Sequence, residues 1–288
     1  MLVLGILAAI AIFLIAKAIP AINNDTRNFL ATKAWLPDQI PVVFGVAALV
    51  VGTLISSAIA LVIAVPIAIG VALFITQYAP RRLATPLAYI VDLLAAVPSV
   101  VFGLWGLRYV NDLIKPVSMW LHNHLGFIPL FGDTGERYGR SLFLAGVILA
   151  IMILPIISAL AREIITQTPQ PAMEAALGLG ATRWEVIRMV VLPFARPGII
   201  SSVMLGLGRA FGETIAVALV LAANFEVTAK ILGPGGNTIA ANIATKFGES
   251  GPTGRGALIA SGLILFAITL AVNVGARAVV ARSGRAIT

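Results

Sequence analysis

The chain has 288 residues, 59% of them hydrophobic and 11% charged, with a net charge of +8 and a mean hydropathy of +1.01. So little polar surface excludes a water-soluble globular domain of this length, and the lack of strand-like alternation argues against an outer-membrane barrel. The chain has no cysteine, which excludes disulfides, iron–sulfur clusters and thiol chemistry; its basic residues are scattered singly between apolar stretches, so no nucleic acid is expected as a partner.

An apolar helix of about 20 residues crosses the roughly 30 Å of bilayer hydrocarbon, and six such segments follow in order. The first, Met1 to Pro20, is interrupted only by Lys17 and has no basic flank before it, so it is expected to be a retained helix and not a secretory leader. A polar stretch follows, Ala21 to Gln39. The second segment, Pro41 to Tyr78, would be roughly 55 Å long as one straight helix. Pro66 and glycines 45, 52 and 70 offer it kink points. The third, Leu83 to Leu107, contains Asp92, expected to snorkel to the interface, and Pro98. A polar loop, Arg108 to Arg140, carries His122 and His124; no cysteine, third histidine or nearby carboxylate joins them, and no metal site is expected.

The fourth segment is Ser141 to Leu160, followed by a non-spanning amphipathic stretch, Ala161 to Pro197. The fifth runs from Gly198 to about Ala223, a Gly/Asn/Thr-rich loop from Asn224 to Gly254 follows, and the sixth covers Arg255 to Val280. The loop's Gly233-Pro234-Gly235-Gly236 lacks the Lys-Ser/Thr of a P-loop, so the chain is not expected to bind or hydrolyse ATP. The pattern predicts one all-α, polytopic membrane domain over residues 1–288 with about six transmembrane helices. Six crossings place both termini on one side. The basic residues divide almost evenly between the two sides, so charge alone leaves the orientation open.

The stretch 161–197 contains Glu174-Ala175-Ala176, then Gly180, then Leu192-Pro193. Ala175 and Ala176 favour helix and keep its surface narrow. Gly180 permits a backbone turn that a Cβ resists, and Pro193 is expected to end a second short helix. The product is a helix–turn–helix knob with an acidic start, suited to a groove on another protein. This spacing resembles the EAA loop of ABC-importer permeases. The resemblance implies the type I permease fold and assigns ATPase coupling to Glu174, Ala175, Ala176, Gly180, Leu192 and Pro193. It implies that the loop, and with it both termini, faces the cytoplasm of a bacterium, with the chain multi-pass in the inner membrane.

The fifth segment contains Gly208-Arg209-Ala210-Phe211-Gly212-Glu213-Thr214-Ile215-Ala216-Val217. On one continuous helix Arg209 and Glu213 would share a face and pair. An arginine at the bilayer centre costs about 2.5–3.5 kcal/mol on insertion scales, so this face is expected to point into the protein or a pore. Gly208 and Gly212 form a small-xxx-small strip for another helix. The pair either fixes helix register or meets an anion, for which the guanidinium fork is suited. The segment is similar to the signature of PstC-type phosphate-importer permeases, as are Leu94–Leu107 and Gly236–Ala244. That resemblance implies that Arg209 and Glu213 lie on the substrate pathway. It also implies a homologous sister permease, two copies of an ATP-binding subunit that hold ATP and Mg, and an extracytoplasmic phosphate-binding protein. The alternatives are a permease for another oxyanion, sulfate or molybdate, and a stand-alone secondary transporter or channel. No catalytic residue is assigned; the chain is expected to be a transport subunit and not an enzyme.

Overall fold

In the computed structural model the described residues are 2–132, 138–227 and 230–284, and nearly all their regular structure is helical. In chain order the elements are α1 (Leu2–Asn24), the strands β1 (Trp35–Leu36) and β2 (Val43–Phe44), α2 (Ala47–Leu73), α3 (Arg81–Ala95), α4 (Ser99–Trp105) and α5 (Asn111–Leu125). They continue with α6 (Leu142–Thr166), α7 (Gln170–Gly178), α8 (Arg183–Val186), α9 (Leu192–Gly212), α10 (Ile215–Val220), α11 (Ile239–Lys246) and α12 (Pro252–Gly284). Wide π turns at Phe74–Tyr78, Gly106–Val110 and Ile187–Val191 prolong α2, join α4 to α5 and join α8 to α9. Among the described residues, five helical stretches are long and apolar enough to cross a membrane, and a bent pair, Arg82–Ala95 with Ser99–Leu125, makes a sixth if counted as one.

Three boundaries differ from the sequence reading. The helix after Pro98 runs on to Leu125, where a polar loop was expected. Val110, Ile114 and Ser118, spaced one turn apart, are buried, so a narrow packed stripe keeps this polar stretch helical and places both histidines in its last turn. Within the third segment, extended Pro98 (φ −60°, ψ 139°) separates α3 from α4. Next, α6 continues to Thr166, so residues 161–166 belong to a spanning helix. Finally, Pro193 does not end a helix: it is the second residue of α9. The π turn before it, closed by the Leu192 N–H on the Ile187 carbonyl, widens the backbone just ahead of the proline ring and so accommodates it.

The chain divides into two compact units. The first comprises Met1–Ile59, Pro98–Leu149 and Phe211–Leu270. Its core joins Ala18 and Ala21 of α1, Phe29, Trp35, Phe44, Leu49, Ile239 and Ala257, Leu258 and Ala260 of α12. The hairpin pairs Trp35 with Phe44 antiparallel; Phe44 meets Phe29 and Trp35 edge-on at 5.7 and 6.0 Å, and Trp35 stacks on Phe225 at 6.1 Å. Asp38 reaches across the sequence to accept the N–H groups of Gly251 (3.0 Å) and Gly254 (2.9 Å), a carboxylate set on the positive end of α12.

The second unit comprises Ala60–Val97, Ala150–Ala210 and Ala271–Thr288. Its core is Ala72, Ala161, Ile165, Val186, Val191, Ala195 and Ile199. Here α6 and α9 approach closely at glycines: a Cβ on Gly198 would lie 2.6 Å from Ile164, and one on Gly206 2.7 Å from Ile157.

Candidate coupling knob and substrate path

The knob is built by local rules. Extended Pro169 starts α7, and the helix stops in a Schellman turn. There the Ala181 N–H donates to the Ala176 carbonyl (3.1 Å) and the Gly180 N–H to the Leu177 carbonyl (2.9 Å). Gly180 sits at φ +87°, the left-handed conformation that this turn needs and that a Cβ strains. Two residues later Thr182 caps α8 in a capping box: its hydroxyl accepts the Glu185 N–H (3.3 Å), and the Glu185 carboxylate accepts the Thr182 N–H (2.7 Å). Thr182 and Glu185 were passed over in the sequence, although Thr-x-x-Glu before an apolar run signals a helix start.

One face of the knob is anchored and the other is free. Met173, Ala176, Ala181 and Leu192 pack against the core of the second unit. Glu174, Ala175, Gly180 and Pro193 are exposed, and beside them Leu177, Trp184 and above all Leu179, 91% exposed, present apolar surface. The stack from Arg183 to Gly212 is 30 residues, or roughly 45 Å. It exceeds the hydrocarbon thickness of about 30 Å, so an upright stack would extend beyond the apolar layer.

Arg209 and Glu213 do not form the expected helical pair. Helix α9 ends at Gly212, two non-helical residues follow, and α10 begins at Ile215. Glycines at 206, 208 and 212 weaken the helix just before this point. The Glu213 side chain takes over a backbone group of the next helix, Oε1 accepting the Ala216 N–H at 3.2 Å. Glu213 is 7% exposed, whereas Arg209 is exposed and makes no hydrogen bond or ion pair among the described residues. Ser201, Leu205, Gly208, Arg209 and Gly212 form an exposed stripe along α9. The expected packing strip at Gly208 and Gly212 is open: apart from the adjacent residues and the helix's own backbone, no atom among the described residues lies within 4 Å of a Cβ placed there.

Asp92 is paired where snorkelling was expected. Arg162 Nη2 donates to both of its carboxylate oxygens at 3.1 Å, tying α3 to α6 within the second unit. The two residues lie 70 positions apart, and nothing in either segment announces the pairing. His122 and His124 each place Nδ1 2.9 Å from a backbone carbonyl, of Phe131 and Trp120 respectively.

The family model for binding-protein-dependent transport system inner membrane components matches residues 64–285. The phosphate transport system permease protein PstC 2 of Mycobacterium tuberculosis is 45% identical over 274 residues, covering 94% of this chain and 85% of that protein. PstC of Haemophilus influenzae is 40% identical over 289 residues, covering 98% and 90%. Among solved structures, a bacterial ABC transporter involved in the import of the acidic polysaccharide alginate aligns with a TM-score of 0.57 at 17% identity, over 82% of this chain and 78% of that one. The inward-facing MetNI methionine ABC transporter aligns at 0.55 and 17%, over 83% and 94%. At that identity the two structures establish the all-helical permease fold of ABC importers and nothing finer. The chain belongs to the binding-protein-dependent transport inner membrane component family, in its PstC permease branch.

Proposed function

We propose that the chain is the permease subunit of an ATP-driven importer of inorganic phosphate and forms the translocation path together with a homologous sister permease. The observation that carries the cargo is Arg209: an exposed guanidinium in an apolar spanning stretch, with no partner among the described residues. A cation so placed in a membrane protein faces water, a partner subunit or a passing anion. Its planar fork offers two parallel donors that match the oxygens of phosphate. The relatives' names supply phosphate as the anion, and the sulfate and molybdate alternatives lack that support.

In this reading the free face of the knob, from Glu174 to Trp184, docks on an ATP-binding subunit present in two copies. ATP and Mg²⁺ are handled there, and an extracytoplasmic phosphate-binding protein delivers the cargo. The knob and both chain termini then face the cytoplasm. Closure of the ATPase pair pulls on the knob, and its anchored face transmits the movement to α2, α6 and α9, whose residues form its core. Glu213 has a second part. Held on the Ala216 N–H, its carboxylate leaves Arg209 open to an anion; set free, a carboxylate four residues along would compete with phosphate for the same guanidinium.

The test is Arg209→Gln in the full complex. Phosphate uptake should disappear while the sister permease and ATPase still co-purify with the variant. Loss of co-purification would instead make Arg209 an assembly residue and overturn its role in transport.

A further inference from the structure

Helix α10 has six residues, well under the about 12–15 at which an isolated helix becomes marginally stable. Yet Ala216, Val217 and Val220 are almost completely buried and the helix is well formed. What holds it comes from elsewhere in the first unit. At its start stands the Glu213 carboxylate on the Ala216 N–H. At its end Arg140 Nη2 donates to the carbonyls of Leu219 (3.1 Å) and Leu221 (2.5 Å). A negative group at the first turn and a positive one at the last both match the field of the peptide dipoles. The Arg140 backbone is itself fixed, since its carbonyl accepts the Gly235 N–H at 2.9 Å.

The flanks of α10 are equally constrained. Helix α4 and the π turn after it pack against it through glycines: a Cβ on Gly103 would lie 2.8 Å from the Ala216 Cα, and one on Gly106 3.1 Å from Val220. Helix α11 packs against it as well. It is pinned in turn by Thr238, whose hydroxyl accepts the Ala241 N–H (3.3 Å), and by Thr53, whose hydroxyl accepts the Ile239 N–H (3.0 Å). Two sequence stretches set apart by their resemblance alone, Leu94–Leu107 and Gly236–Ala244, thus supply the two helices that pack against α10.

We infer that Arg140 is a positioning residue for Glu213. By fixing the last turn of α10 it holds the first turn in register, so that the Ala216 N–H retains the Glu213 carboxylate and keeps it from competing with the transported anion. The inference rests on the phosphate-permease reading. Without Arg140 the last carbonyls of α10 lose a charged donor, the short helix frays, and Glu213 is released.

Initial rates of radiolabelled phosphate uptake by the complete complex test this. Arg140→Gln should raise the half-saturating phosphate concentration roughly tenfold, the scale of a lost charged hydrogen bond, with the amount of assembled complex unchanged. Arg140→Lys, which keeps the charge and a donor, should recover most of the loss. In a Glu213→Gln background, where no carboxylate can be released, Arg140→Gln should cause no further rise. Unchanged half-saturation in Arg140→Gln, or an equal rise in both backgrounds, overturns the inference. Should Glu213→Gln transport nothing, or Arg140→Gln fail to assemble, Arg140→Lys decides. A modestly raised half-saturation at a constant amount of complex supports the inference, and wild-type values overturn it. A wild-type complex that takes up no phosphate would sink the functional reading first, whereas normal wild-type uptake with unaffected Arg140 variants would sink only the inference.

Discussion

The coupling knob and the α9–α10 break are both short-helix devices, but they are held in opposite ways. The knob is closed by bonds that span five residues or fewer, from the Schellman turn at Gly180 to the capping box of Thr182 and Glu185. The break depends on residues far along the chain, with Arg140 bonding to carbonyls 79 and 81 positions away and Gly103 pressed against Ala216. A device made of local bonds would keep its shape while its outer face docked on the ATPase, as proposed. One made of distant bonds is only as firm as the packing around it, and its carboxylate can therefore respond when that packing changes.

This contrast can be broken from either side. The largest effect is expected at the break. Gly103→Ala forces a Cβ against backbone that cannot step aside, so it should destabilise the permease by about 1–3 kcal/mol. Thermal unfolding of the purified complex would show it, and an unchanged midpoint would mean that α4 and α10 are not tightly joined. At the knob, Glu174→Lys reverses a charge on the exposed face proposed to dock the ATPase, without touching the internal bonds. Retention of the ATPase subunit on the purified permease should fall roughly tenfold, with the stability of the permease itself unaffected. Normal retention would count against docking through this face. The smallest effect is expected from Thr182→Ala, which removes the cap of α8 and should cost about 1 kcal/mol. Hydrogen exchange confined to residues 182–186 would report it, and spread of the change into α9 would show that the knob is less self-contained than its bonds suggest.

The same division decides what could be read in the sequence. The six apolar segments and the knob were legible because hydropathy, helix caps and turn glycines act within a few residues of where they are written. The end of α9 at Gly212 was not legible. Ile215-Ala216-Val217 continues the apolar run, and the Glu213 bond to Ala216, the grip of Arg140 and the packing of α4 and α11 make a separate helix of it. Asp92 looked like a lone charge near an interface because its partner Arg162 lies in another segment. Residues 111–125 looked like a loop because Asp112, Lys115, Pro116 and two histidines outweighed the narrow stripe of Val110, Ile114 and Ser118 that keeps them helical. Thr182 and Glu185 are the opposite case: their signal was local and could have been used.

The central claim, that this chain passes phosphate in an ATP-coupled assembly, is tested most directly by cargo competition in proteoliposomes. These would contain the permease pair with its ATPase, supplied with the binding protein. The account predicts uptake of radiolabelled phosphate that requires ATP, is inhibited by excess arsenate and is indifferent to sulfate. Uptake blocked by sulfate but not arsenate, or driven by an ion gradient without ATP, would contradict it.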